Sequence, residues 1–397
     1  MKTIVNSAFS KRVKRRVSGR DHRFFVNTAP GLSKLCLSEL ESILDAPKTL
    51  EKVSGGIEFS GRLTDCFATN LNLRTASRVL MRITTFKATN FRQLEKNLLK
   101  QSWELYLKQD STFHINVATR HSRLFHKTAV AEKVQQSIAE RWTGAAMDSR
   151  EGDHPGIRQK IFVRAVDDRF TISLDSSGAH LHKRGLRTYP GSAPIRETLA
   201  ASVLKWSGYR PDRPLLDPMC GSGTFSIEAA LMAKQIPAGF FRPFAFMEWP
   251  AFRPRQWDYL KRSSEKSIQQ MVKPSIFASD QDPESVRRFG AFVEKNRLTD
   301  AIKTECKDFF SISPKEVADR TGLVVLNPPY GHRLGNPERS HQVYEAIIEK
   351  LAGDFTGWDF ALIAPPQYLK KHHFKNIRSY PLFHGGLKMQ VLTGRVS

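Results

Sequence analysis

From Leu215 to the C terminus, short apolar runs alternate with stretches of helical periodicity, and this alternation limits the fold more than any other feature. Leu215-Leu216 precedes a helix over Thr224–Lys234, and Ser275–Ser279 precedes one over Pro283–Asn296. Ile302–Cys306 is strand-like, Leu323–Leu326 precedes a helix over Gln342–Leu351, and Phe360–Ile363 and Leu387–Leu392 close the series. Parallel neighbours need a long crossover, and a helix is the usual crossover. The expectation for residues 198–397 is therefore an open, twisted, mostly parallel α/β sheet of Rossmann-like type, covered by helices. Such sheets bind ligands at the carboxyl edge of their strands.

Four consecutive strand ends carry chemistry there. The first opens into Asp217-Pro218-Met219-Cys220-Gly221-Ser222-Gly223-Thr224 and a helix. Gly221 and Gly223 let backbone approach a ligand, and the helix start favours an anion. A G-x-G alone is a weak signal, and no Gly-Lys-Ser/Thr follows. A carboxylate such as a methionine tail fits better than a pyrophosphate, with Asp217 attracting the cationic amine. The second strand ends at Asp280, suited to ribose hydroxyls. Asp280 follows Asp217 by 63 residues, against about 20 in a dinucleotide fold. The excess holds Phe240, Phe241, Phe244, Phe246, Trp249, Phe252 and Trp257, most of which are expected to pack on the sheet. The third strand ends at Asp308-Phe309, an acceptor for an adenine amino group and a ring to flank it.

The fourth ends in Asn327-Pro328-Pro329-Tyr330. The amino nitrogen of a nucleobase is a poor nucleophile because its lone pair is delocalised. The Asn327 carbonyl and a backbone carbonyl beside the prolines can accept its two N–H bonds and favour the pyramidal transition state. Pro328 and Pro329 stiffen the turn, and Tyr330 offers a stacking face. Each acid alone is more often a helix cap than a ligand. Their joint order describes a site for S-adenosylmethionine facing a target amine, and methyl transfer of this kind needs no metal.

The N-terminal half reads differently. Phe24-Phe25-Val26, Ile57-Glu58-Phe59, Ile83–Phe86, Phe113–Ala118, Ile161–Val166 and Phe170–Leu174 are strand-like, the last two forming a hairpin across Asp167-Asp168-Arg169. Helices are expected over Leu32–Leu44, Leu71–Leu80, Leu94–Leu107 and His126–Trp142. The expected divisions are a basic disordered arm over residues 1–22, a small α+β unit over 23–70, a second over 71–178 and a basic linker over 179–197.

Charge names the class of partner. Sixty-two Lys and Arg against 39 Asp and Glu give a formal net charge of +23, which points to a polyanion, nucleic acid first. Arg120, Arg123, Lys183, Arg184 and Arg187 are the expected RNA contacts in the two basic loops. Lys2, Lys11, Arg12, Lys14, Arg15, Arg16 and Arg20 precede any acid. A transit peptide would share that composition, and an arm that grips phosphate is the simpler reading. No apolar run is long enough to span a membrane. The four cysteines have no zinc spacing, so a cytoplasmic protein with reduced thiols and no metal is expected.

Over nearly the whole chain from Phe25 onward, the sequence resembles the bacterial ribosomal RNA guanine-N2 methyltransferases with a THUMP domain, the RlmL-like family. The resemblance rests on Thr28–Leu32, Leu73–Leu80, Ser173–Gly178 running into His182–Arg187, Ala193–Ala201, Asp217–Thr224 and the Asn327 turn. It implies a ferredoxin-like unit, a THUMP RNA-binding domain and a class I methyltransferase domain. It also implies S-adenosylmethionine as donor and guanosine N2 of large-subunit (23S) rRNA as target. Donor-binding roles then fall to Asp217, Pro218, Gly221, Gly223, Thr224, Asp280, Asp308 and Phe309, and target-holding roles to Asn327, Pro328, Pro329 and Tyr330. A tRNA guanine-N2 methyltransferase is the close alternative. DNA adenine-N6 or release-factor glutamine methylation, which share the Asn-Pro-Pro-Tyr turn, fit the long N-terminal half less well. So does a non-catalytic RNA chaperone, given the intact donor loops.

Overall fold

The computed structural model describes residues 7–142, 158–186, 195–328, 337–366 and 374–397. The chain forms two compact units. The first comprises Met1–Thr28, Leu37–Leu181 and Arg242–Arg262, and the second Ala29–Cys36, His182–Phe241 and Ser263–Ser397.

The first unit is built on β1 (His22–Thr28), β2 (Leu50–Val53), β3 (Gly56–Gly61), β4 (Ala76–Lys87), β5 (Phe113–Arg120), β6 (Gln159–Val166) and β7 (Arg169–Asp175). They form one seven-stranded sheet in the order β2-β3-β1-β4-β7-β6-β5. The β6–β7 hairpin turns on Asp167 and Asp168, both at positive φ, the twist that two-residue hairpins favour.

Residues Leu71–Leu80 are not a helix. The helix lies earlier, at Leu63–Asn72, and β4 begins at Ala76. β4 pairs with β1 on one side and β7 on the other, so Ala76, Val79, Leu80 and Met81 are all buried. A central strand buried on both faces gives a continuous apolar run that periodicity alone does not distinguish from a helix. The basic arm is also ordered over much of its length. Ser7–Val13 is helical and continues into a wider turn over Lys14–Ser18. Val13 and Val17, four residues apart, are buried, and Arg12 pairs with Glu104. Burial of that apolar pair holds a segment that charge alone would leave in solvent.

The aromatic insertion packs mainly within the first unit rather than on the α/β sheet. Phe246 stacks on Phe67 at 4.3 Å between ring centroids, and Trp249 Nε1 donates to Gln159 Oε1 at 3.0 Å. Arg242 donates to the carbonyls of Ser177, Ala179 and His180. Phe240 and Phe241 stay with the second unit.

The second unit is the expected α/β sheet. Its strands are β8 (Leu215–Asp217), β9 (Ile276–Asp280), β10 (Ile302–Cys306), β11 (Leu323–Leu326), β12 (Asp359–Ala364), β13 (Phe374–His384) and β14 (Leu387–Val396). The order is β10-β9-β8-β11-β12-β14-β13. The first five are mutually parallel, and β14 and β13 are antiparallel. β11 shows why the core forms: Leu323 and Val325 enter one apolar cluster, while Val324 and Leu326 enter the other. The first cluster includes Leu199, Phe225 and Phe289 from helices Glu197–Trp206, Thr224–Ala233 and Pro283–Lys295. The second includes Tyr344, Ile347 and Leu351 from helix Pro337–Asp354. β13 has no sequence signature because it is an edge strand with most side chains exposed, an irregular register between Lys375 and Arg378, and Pro381 in its path. Among the described residues no helix is long and apolar enough to cross a membrane.

Candidate active site

The sheet order reverses at β8. β9 and β10 lie on one side of it and β11 on the other, so the loops after β8 and β11 diverge from neighbouring strands at one edge. The parallel register pairs Val324 with Leu216. Asp217 is the next residue along β8, and Asn327 lies three residues past Val324. Both therefore sit at the carboxyl edge, at a switch point that leaves a crevice.

The loop after β8 is held from both sides. The Cys220 amide donates to the Ser279 carbonyl at 2.9 Å, and the Gly221 amide donates to Asp280 Oδ2 at 2.9 Å. The two glycines have different tasks. Gly221 has φ +50°, and a Cβ there would meet nothing within 4 Å, so its surface opens on free space. Gly223 has φ +73°, and a Cβ would lie 2.1 Å from the Phe289 ring. Gly223 therefore has no room for a side chain beneath the Phe289 ring, a packing demand on this position whatever its role toward a ligand. Pro218 is buried, and Thr224 is 8% exposed at the start of the helix, its hydroxyl 3.3 Å from that of Ser222.

Asp217 is 1% exposed. Its Oδ2 accepts the Ser226 hydroxyl at 2.8 Å and the Ser226 amide at 3.3 Å, tying the loop to the following helix. Burial, with the nearby Asp280 adding to it, pushes its carboxyl up to about 7. Asp280 accepts the amides of Gly221 and Asp282 and is half-buried. The neighbouring Asp282 is the helix cap, accepting from the Glu284 and Ser285 amides. Asp280 thus remains the acid that faces the loop. The Lys307 amide donates to the Asp280 carbonyl at 3.1 Å, bringing the end of β10 to the same edge.

Asp308 is exposed and caps the turn Phe309–Ser311 through the Phe310 amide. Phe309 does not flank a ligand. It is 1% exposed and stacks on Phe355 at 5.8 Å. The exposed aromatic is Phe310, at 42%, a residue the sequence reading missed because it chose the ring next to the acid. A cleft near the ends of β9 and β10 is lined by Leu216, Phe277, Ser279, Lys307, Ile312 and Val317. The Ser279 hydroxyl is buried without a hydrogen-bond partner among the described residues.

At the end of β11, Pro328 is buried and Asn327 half-buried. Asn327 Oδ1 is buried and has no hydrogen-bond partner among the described residues. A buried carbonyl left unpaired costs about 1–3 kcal/mol, which makes this acceptor a candidate for an outside donor. Pro329 and Tyr330 lie outside the described residues.

Of the expected RNA contacts, Arg120, Arg123 and Lys183 are exposed. The Arg123 side chain lies 3.8 Å from Asp168. Arg184 is not a surface residue. It is 3% exposed, and its guanidinium makes two bonds to Glu228, itself fully buried, at 2.8 and 3.2 Å. That pair fastens residues after Leu181 to the helix Thr224–Ala233. Arg187 lies outside the described residues. Among the described residues no cluster of His, Cys, Asp or Glu could hold a metal ion.

Three parts of the chain match known families. Residues 184–391 match the family described as RMKL-like, methyltransferase domain; residues 23–80 match the RlmL ferredoxin-like domain; and residues 88–175 match the THUMP domain. The chain is 30% identical over 93% of its length to slr0064 of Synechocystis sp., provisionally named an RNA methyltransferase, and covers 95% of that protein. It is also 30% identical to the ribosomal RNA large subunit methyltransferase K/L of Psychromonas ingrahamii, spanning 94% of itself and only 50% of that longer relative. The crystal structure of SMU.472, solved in complex with SAH and provisionally a methyltransferase, superposes with a TM-score of 0.83 at 26% identity, over 95% of this chain and 99% of that one. The chain belongs to the RMKL-like methyltransferase family and carries RlmL ferredoxin-like and THUMP domains ahead of its methyltransferase domain.

Proposed function

We propose that this protein transfers a methyl group from S-adenosylmethionine to the exocyclic N2 of a guanosine in large-subunit ribosomal RNA, in the cytoplasm. The observation that carries the reading is the Asn327 Oδ1 at the sheet's switch point, buried and without a hydrogen-bond partner among the described residues. An exocyclic amine would supply an N–H donor to this carbonyl. The donor is assigned to the opposite side of the crevice: Gly221 leaves open space where a side chain would intrude, Asp280 offers a carboxylate for ribose hydroxyls, and Asp217, buried and bonded to Ser226, holds the loop that carries Gly221.

When bound, the donor supplies a methyl group on a cationic sulfur. Asn327 accepts one N–H of the target amine and turns its lone pair toward that carbon. The methyl carbon of the donor would be the electrophile for that lone pair, and the methylated nitrogen would release its extra proton to solvent. Alignment of the two reactants supplies much of the acceleration. N2 of a paired guanine is engaged, so the base must leave its helix first.

The test offers the purified protein and labelled donor to protein-free large-subunit rRNA, tRNA and duplex DNA, followed by mass spectrometry of the digested nucleosides. N2-methylguanosine from the large rRNA is expected. Label confined to tRNA would reassign the substrate, and N6-methyladenine in DNA would overturn the reading.

A further inference from the structure

The family matches begin at residue 23, and the ordered helical segment before it has no place in the function derived so far. It extends from Ser7 to Ser18. Lys11, Lys14, Arg15, Arg16 and Arg20 are all exposed. Lys11, Lys14 and Arg15 stand at i, i+3 and i+4, one helical face. Val13 and Val17 stand at i and i+4 on another, and that face is buried.

Pairing distinguishes this segment from the surface helix Pro283–Lys295. On Pro283–Lys295, Arg287 and Arg288 both pair with Glu284. On the N-terminal segment, Arg12 alone finds a carboxylate, that of Glu104, which also lies 3.9 Å from Arg141. Lys11, Lys14, Arg15, Arg16 and Arg20 pair with no carboxylate among the described residues, and no acid occurs in the first twenty positions of the sequence. Like charges this dense repel one another, yet the segment is folded and anchored.

We infer that the helix Ser7–Ser18 is a preformed phosphate-binding surface for the RNA substrate, positioned by Val13, Val17 and the Arg12–Glu104 pair. This deepens the RNA reading and rests on it. A basic amphipathic helix can also lie on an anionic membrane, but it does so by inserting its apolar face. Here that face is covered by the protein's own first unit, so only the charged face is offered. Its contacts are with backbone phosphates and carry no sequence preference.

The test uses the full chain with Lys11→Gln, Lys14→Gln and Arg15→Gln together. These side chains are exposed, so thermal unfolding is expected to match the wild type. RNA affinity for a large-subunit rRNA fragment is measured by anisotropy from 50 to 200 mM salt. Each lost phosphate contact lowers the slope of log affinity against log salt by about 0.7–0.9, so a decrease of about 2–3 is expected, with at least tenfold weaker binding at the lowest salt. A control variant, Lys273→Gln with Lys295→Gln and Arg320→Gln, removes equal charge from exposed positions elsewhere and is expected to leave the slope near wild type. An unchanged slope in the helix variant, or an equal fall in the control, overturns the inference. So does binding to phosphatidylserine vesicles that the helix variant loses while its RNA slope is retained. A wild type that binds and methylates no RNA would instead defeat the functional reading itself.

Discussion

The Gly221 amide donates to the Asp280 carboxylate at 2.9 Å, a bond that joins the loop after the sheet's first strand to the end of its second. It fixes the loop against β9 while leaving the Cα face of Gly221 open. Gly221 and Gly223, two positions apart, therefore respond differently to the same change. Gly221→Ala places a side chain at φ +50° in free space, costing about 1–2 kcal/mol, and lowers donor affinity by intruding on the crevice. Gly223→Ala drives a methyl into Phe289 and costs about 2–5 kcal/mol from backbone and overpacking together. Urea unfolding and donor titration of both variants check this; equal stability losses would contradict it.

Asp217 makes stability depend on pH. Its carboxyl is pushed up to about 7 in the folded protein by burial and returns to the ordinary range near 4 when unfolded. The folded state therefore holds the extra proton between those values. Stability is greatest below about pH 4 on this account and falls as pH rises through about 7, by at most about 4 kcal/mol. Asp217→Asn keeps an acceptor for Ser226 and removes the charge, so its unfolding free energy should fall less between pH 5 and pH 8. Asp175, raised by burial to about 6, is common to both proteins and cancels from the comparison. Parallel pH profiles would exclude the effect.

Asn327→Ala should lower kcat by about 10²–10³-fold, the range for loss of one preorganised polar group, with donor affinity unchanged. Asn327→Asp, which retains an acceptor, should keep more activity than the alanine variant. Full methylation by Asn327→Ala would remove the turn from the chemistry.

Arg184 and Lys183 are adjacent but differ in kind. Arg184→Ala removes a paired guanidinium from the buried Glu228 carboxylate and should cost about 3–5 kcal/mol. Lys183→Ala, at an exposed position, should stay within about 0.5 kcal/mol. Replacing both partners, as Arg184→Met with Glu228→Leu, should recover much of the loss and leave the salt dependence of RNA binding intact. A changed salt slope in that double variant would return Arg184 to the RNA surface.

The α/β half was legible because its strands are buried on both faces and each ends in a short polar turn. The resulting sequence rhythm places Asp217, Asp280, Asp308 and Asn327 at one edge. What the rhythm could not convey was side-chain direction. Phe309 and Phe310 are adjacent aromatics, and which one turns inward depends on the Phe355 ring, distant in sequence. Gly223 reads like Gly221 until Phe289 is placed over it. Arg184 lies in a run of basic residues and looks like surface until Glu228 is found beneath it. The first part of β4, Ala76–Leu80, reads as a helix because its residues pack against two neighbouring strands. The helix near the N terminus was hidden because seven cations outweigh the two valines that anchor it.

The position of β4 constrains any attempt to exchange the RNA-binding half for that of another relative. This strand hydrogen-bonds to β1 on one flank and to β7 on the other, so a splice near residue 70 would expose a bare edge on both fragments. A working chimera must bring Ala76–Lys87 with the donor segment, or preserve the side chains of that strand that meet both flanks. Evolution of new RNA specificity in such a chain should accordingly proceed through loops and terminal extensions, leaving the central ladder in place.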